Sequence, residues 1–285
     1  MVKTIVINNT NVVSGTNNSL FRYTFPTGQV QFDEGSQIAV QSISIPYSWF
    51  NISQNQYNNV SFQYTWNLAP TAGTYTVTLP NPSFMTAEDI NEYFQSVMIA
   101  NGHYLINSTG DYVYYMEIVL NTSRYAYQIN TYPLPASLPS GWSNPAGVVF
   151  GSTNTPFIII TSNSFGKLIG FSSGTYPPAP TTSNYSILSN ITPNITPVNS
   201  VLMQCNLVNN SLSIPSKLLF GFAPNTTFGS TINITPSEFA YNDIQQGYFS
   251  SIDIQFTDEN NNNLVINDSN LVVQLVIRKK NEIGY

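Results

Sequence analysis

The chain has 285 residues and a formal net charge of −6, with 8% charged, 42% hydrophobic and 13% aromatic side chains. Typical domains are about 25% charged, so amides and hydroxyls stand here where charges usually would. The 18 Tyr and 17 Phe exclude a disordered chain, and 8 Lys+Arg against 14 Asp+Glu argue against a surface that tracks phosphates. One cysteine, Cys205, and one histidine, His103, exclude an internal disulfide, a cysteine metal cluster and any site that needs two imidazoles. The first fifteen residues, MVKTIVINNTNVVSG, carry no apolar core followed by a small-residue cleavage site, so no signal peptide is expected. The longest apolar run, Leu271–Ile277, is broken by Gln274 and falls far short of the ~18–20 residues that span a bilayer.

Along the chain, short β-branched and aromatic runs alternate with Pro and Gly, the pattern of an all-β sandwich or barrel. Strands are predicted at Thr4–Asn8 and Leu20–Phe25. In Ile38–Ile45 the apolar positions switch from even (Ile38, Val40) to odd (Ile43, Ile45) around Gln41-Ser42, which predicts a bulge or burial on both faces. Strands at Val60–Trp66 and Thr74–Leu79 follow. Then Thr86-Ala87-Glu88-Asp89 reads as a capping-box start, Ile90, Phe94, Val97 and Met98 recur at helical spacing, and Asn101-Gly102 ends the run. One packed helix over about 86–101 is predicted, its apolar face against a sheet.

Tyr112–Leu120 and Tyr125–Thr131 alternate with period two around Asn121-Thr122-Ser123-Arg124, which predicts a hairpin. Phe157–Ile160 reads as a strand and Ser162–Ile169 as a short helical turn. Two Pro-rich stretches, 133–155 and 172–198, are either long surface connections or an inserted, partner-facing lobe. Strands are predicted at Val201–Val208, Leu218–Phe222, Phe249–Phe256 and Leu271–Ile277, the last two forming a final hairpin about a polar loop from Thr257 to Asn263. The last strand runs into Arg278-Lys279-Lys280, which is either a solvated strand end or a contact for nucleic acid or an acidic partner. The expected organisation is one domain over 1–285.

Catalytic groups are nearly absent. His103 follows the helix and reads as a surface residue complementing the helix dipole, with no nucleophile elbow anywhere. Glu117, inside an aromatic strand, could serve a glycosidase-like hydrolase only with a second, unidentified acid; a charge that protects an edge strand from mispairing, or a hydrogen-bonded pair with Arg124, explains it as well. Glu88, Asp89 and Glu92 fall on the polar side of the helix. Asp258–Asp268 fails the calcium-loop pattern, with Ser269 where the bidentate Glu belongs. Phe165-Gly166-Lys167-Leu168-Ile169-Gly170-Phe171 lacks phosphate-loop spacing. Sequons such as Asn51-Ile52-Ser53, Asn107-Ser108-Thr109, Asn190-Ile191-Thr192 and Asn225-Thr226-Thr227 arise by chance in a chain of this composition. No catalytic residue, cofactor or metal site is expected. Amide, hydroxyl and tyrosine surfaces suit either lateral subunit packing or stacking on sugars, and a glycan- or receptor-binding β-sandwich would use Trp142, Tyr132 and Tyr176.

Several blocks in order carry a resemblance: Ile43-Ser44-Ile45-Pro46-Tyr47-Ser48-Trp49-Phe50-Asn51-Ile52, Tyr75-Thr76-Val77-Thr78-Leu79-Pro80, Asn101-Gly102-His103-Tyr104, Phe165–Phe171, Gly174-Thr175-Tyr176-Pro177, Thr196-Pro197-Val198-Asn199-Ser200 and Ile252-Asp253-Ile254-Gln255-Phe256-Thr257-Asp258. Together they resemble the penton (minor capsid, vertex) proteins of Mavirus-like virophages and the related Polinton/Maverick elements. That resemblance implies a jelly-roll protomer and a homo-pentamer at the icosahedral vertex, ringed by double jelly-roll trimers of a major capsid protein. It also implies a virion location after assembly in the host cytoplasm, a possible host receptor, and an outer insertion at the Pro-rich stretches.

Overall fold

The computed structural model describes residues 2–280. The contacts of these residues gather into two compact units, one made of 2–49 with 198–280, the other of 50–197. The stretch 133–155 falls in the second unit, as does 172–198 up to Pro197.

The first unit contains eight principal strands: β1 (Val2–Asn8), β2 (Leu20–Thr24), β3 (Ser36–Pro46), β4 (Val201–Cys205), β5 (Leu218–Phe222), β6 (Thr231–Ile234), β7 (Ser251–Asp258) and β8 (Val272–Lys279). Pairing is antiparallel throughout. β1 joins β8, β2 joins β7, β3 joins β6 and β4 joins β5, while β8 also joins β3 and β7 also joins β4. The sheet orders are therefore β1-β8-β3-β6 and β5-β4-β7-β2. First with eighth, second with seventh, third with sixth, fourth with fifth: this is one long hairpin rolled into two sheets, the jelly roll. Each sheet buries one side of its alternating strands, with Ile7, Ile43, Ile45 and Leu275 from one and Phe21, Met203, Ile254 and Phe256 from the other.

The phase switch in β3 is a bulge. Gln274 faces Ser42 while Leu275 faces Val40, so Gln41 is the extra residue, and Ile38, Val40, Ile43 and Ile45 are all buried. The predicted final hairpin is corrected: β7 and β8 lie in different sheets, and the connection from Glu259 to Leu271 passes between them. β7 also begins later than predicted, because Gly247–Phe249 is a separate strand paired with Val30–Phe32.

The chain leaves this framework between β3 and β4 to build the second unit. There, a four-stranded sheet runs in the order Gly174–Tyr176, Ile158–Ile160, Ser61–Trp66, Gly73–Thr78, and a three-stranded sheet in the order Tyr185–Leu188, Ala126–Thr131, Met116–Asn121. The stretch 172–198 thus contributes two strands, and 133–155 is tied down by bridges from Ser143 to Ile106 and from Val149 to Ala69. Helix α1 (Ala87–Asn101) starts at the predicted capping box, with Thr86 as N-cap and Asp89 answering it, and stops at Gly102 with φ 71°. It buries Ala87, Ile90, Phe94 and Met98, and Asn91 Oδ1 accepts the Ile118 N–H. Helix α2 (Asn163–Ile169) is capped by Ser162.

The predicted strand Tyr112–Leu120 is broken. Tyr112–Val113 pairs with Leu105–Ile106, and only Met116–Asn121 joins the hairpin with Ala126–Thr131. The core of this unit is aromatic: Phe62 stacks on Phe165 at 4.8 Å and meets Phe94 edge-on at 5.2 Å. No helix among the described residues is long and apolar enough to cross a membrane.

Candidate interaction surface

His103 and Glu117, the two residues weighed for chemistry, are both tied into the structure. His103 is fully buried, not on the surface as its place after the helix suggested. Its ring stacks on Trp66 at 5.0 Å, its Nδ1 lies 2.8 Å from the Tyr64 hydroxyl, and its Nε2 has no hydrogen-bond partner. Burial pushes its pKa down to about 4. The helix ends in a left-handed turn in which the His103 N–H bonds the Met98 carbonyl, which swings the ring inward under the sheet.

Glu117 sits directly across from Asn130 in the hairpin. Its Oε1 accepts from Asn130 Nδ2 at 2.9 Å and from the Tyr132 hydroxyl at 2.8 Å, so its partners are these two and not Arg124. Glu88, Asp89 and Glu92 are exposed on α1. No cluster of three metal-ligating side chains occurs among the described residues. Asp258 turns its carboxylate onto the Asn260 and Asn262 N–H groups of its own loop. In the Phe165–Phe171 block the glycines serve packing: a Cβ on Gly166 would lie 2.2 Å from the Phe171 carbonyl oxygen, and Gly170 ends α2 with φ 80°. Asn51, the first sequon, is fully buried. Its amide donates to the Met85 and Ile195 carbonyls, each at 2.8 Å, and its Oδ1 accepts the Met85 N–H. That amide closes the beginning of the second unit onto its end.

The three aromatics expected at a glycan or receptor contact are half-buried and pack on the core of the second unit. Tyr132 gives its hydroxyl to Glu117, Tyr176 gives its own to the Ser172 carbonyl at 2.9 Å, and the backbone N–H of Trp142 closes a turn onto the Pro139 carbonyl. The terminal basic cluster divides. Arg278 lies 3.4 Å over the Tyr241 ring and bonds Gln37, while Lys279 is 3.8 Å from Asp33 in an exposed pair.

The surface instead offers shallow clefts and exposed apolar side chains. One cleft of about 490 Å³ is lined by Thr65, Asn67, Thr74, Asn154 and Phe157, with no charged side chain. A second, of about 440 Å³, lies along α1 and is mainly apolar. The hairpin loop between β4 and β5 lifts Leu212 and Ile214 to 96% and 92% exposure. Periodicity did not single this loop out. Its signal is the pair of aliphatics alternating within Asn209-Asn210-Ser211-Leu212-Ser213-Ile214-Pro215, a stretch too polar to be a strand.

The nested strand order defines a jelly-roll protein. No family model matches the chain, and no curated protein matches it. Among solved structures, the mavirus penton protein is similar at 11% identity and a TM-score of 0.45, over 97% of each chain. A chain of the Sputnik virophage cryo-EM structure is similar at 12% identity and a TM-score of 0.41, over 98% of this chain and 97% of that one. The strand order, not these likenesses, establishes the jelly roll here.

Proposed function

We propose that this protein is a non-enzymatic structural subunit of a virus-like capsid, closing a five-membered ring at the vertex against a surrounding major capsid protein. The observation that carries this reading is the jelly-roll order of β1–β8, an architecture shared by capsid and lectin domains. The surface agrees with the capsid side of that pair. The hydroxyls of Tyr132 and Tyr176 are bonded within the chain, while large aliphatics project from the β4–β5 loop. An amide- and hydroxyl-rich coat lets copies pack side by side without burying many charges. Light scattering on size-exclusion fractions is expected to give a particle near five times 31.6 kDa. A monomer that never enters particles with a larger capsid protein would overturn the proposal.

A further inference from the structure

Leu212 and Ile214 present a problem that the isolated chain does not solve. Aliphatic side chains at 96% and 92% exposure stand on a loop that is hydrogen-bonded to itself. The Asn210 N–H bonds the Ser216 carbonyl at 2.7 Å, the Leu212 N–H bonds Asn210 Oδ1 at 2.9 Å, and Ser213 Oγ reaches the Pro215 carbonyl at 3.0 Å. The root of the loop is anchored, since Leu207 and Val208 are fully buried and the Gln245 N–H bonds the Leu207 carbonyl at 2.9 Å. Such a tip is a preorganised wedge, and it loses little conformational freedom on docking. From Asn206 to Lys217 its one charge is Lys217, exposed at the end of the loop.

The chain also carries a surface of the opposite character. The mainly apolar cleft beside α1 is lined by Pro80, Phe84, Met85 and Tyr93 and bordered by Glu92, exposed on the helix, and by Asp89, whose carboxylate is held by the Thr86 N–H and hydroxyl. Helix α1 contains no Lys or Arg, and residues 50–197 hold only Arg124 and Lys167 as cations. No base on this helix answers Glu92.

We infer that the Leu212–Ile214 wedge of one copy seats in the α1 cleft of the next, with Lys217 meeting Glu92 at the rim. The inference rests on the ring-forming reading proposed above and says which surfaces would make the ring. Aliphatic tip matches apolar floor, and the cation at the loop end matches Glu92, so charge and shape choose a second copy of this chain as the occupant. Wedge and cleft are different patches, so the contact is head-to-tail, the kind that closes a ring when its rotation allows.

The test compares oligomeric mass by light scattering for the full chain, L212S/I214S, K217E, E92K and the K217E/E92K pair. Each lost aliphatic is expected to weaken association about tenfold or more. L212S/I214S should therefore run as a monomer with unchanged circular dichroism, because the altered side chains touch solvent. K217E should weaken assembly and the exchanged pair K217E/E92K should restore it, a rescue that a folding defect would not show. Mixing I214C chains with S96C chains under mild oxidation should yield a disulfide-linked heterodimer, since Ser96 lines the cleft. Rings that persist in L212S/I214S, or an exchanged pair without rescue, would overturn the wedge while leaving the ring intact. A wild-type chain that stays monomeric would overturn the ring, and the wedge with it.

Discussion

The two units reach stability by different routes. The jelly-roll unit is a ladder: eight strands paired in nested order, an inward face of Ile, Val, Leu, Met and Phe, and a register in which one slip would turn the apolar side chains outward. The inserted unit has shorter strands, two helices and an aromatic centre of Phe62, Tyr64, Trp66, Phe94 and Phe165. It is fastened by buried polar side chains, above all Asn51 and His103. Where backbone pairing is extensive, side chains need only alternate. Where it is sparse, individual side chains must make the long-range ties.

Damage to the aromatic centre should therefore stay within the inserted unit. Phe94→Ala removes the ring that meets both Phe62 and Tyr64, and is expected to cost about 3–5 kcal/mol. Hydrogen exchange should accelerate in Ala126–Thr131 and remain slow in Val272–Lys279. Equal acceleration in both segments would break the distinction between the units.

Asn51→Ala comes next. It removes the partner of the Met85 N–H and of the Met85 and Ile195 carbonyls around a fully buried side chain, for an expected loss of about 2–4 kcal/mol. Calorimetry should show the transition of the inserted unit moving down. A variant that melts like wild type would show that the clasp carries no energy.

His103 makes the inserted unit sensitive to acid. Its pKa is lowered in the fold to about 4 from 6.5, so between those values the unfolded chain binds a proton that the folded chain refuses. Its contribution is complete above about pH 6.5, declines as pH falls toward 4, and is constant below that. The whole span is worth about 3 kcal/mol. Chemical melts between pH 7 and 4.5 should show this slope, and His103→Gln should flatten it. An unchanged slope in the variant would assign the acid sensitivity elsewhere.

The smallest effect is expected in the ladder. Arg22 and Asp253 form a two-pronged pair across β2 and β7, at 2.9 and 2.7 Å, with Arg22 largely in solvent. Exposed pairs contribute little, so Arg22→Ala should melt indistinguishably from wild type. A clear drop would mean that side-chain ties matter in the ladder too.

Much of this was legible beforehand where the physics is local. The α1 boundaries follow from Thr86, Asp89 and Gly102 because caps act within four residues. The phase error around Gln41-Ser42 marked the irregularity in β3, and left a bulge and burial on both faces as alternatives; the structure has the bulge at Gln41 and also buries the successive residues Ile38, Ala39 and Val40. Other elements were hidden. β6 has four residues and one fully buried side chain, Ile232, too little for a period to emerge. Tyr112–Leu120 alternates without interruption in sequence, yet breaks at Tyr114-Tyr115 because its two halves have different partners. His103 followed a helix end that faces solvent in most proteins and here turns under Trp66.

By itself, the sequence determined the all-β character, the position of the one long helix, and the poverty of catalytic groups, since alternation, capping and composition are properties of neighbouring residues. Only the tertiary structure decided that β7 and β8 part into different sheets, that the strands nest as a jelly roll interrupted between β3 and β4, and that Leu212 and Ile214 stand in solvent. Those outcomes depend on which distant strand offers hydrogen bonds and which side chains find cover, and neither is written in the spacing of adjacent residues.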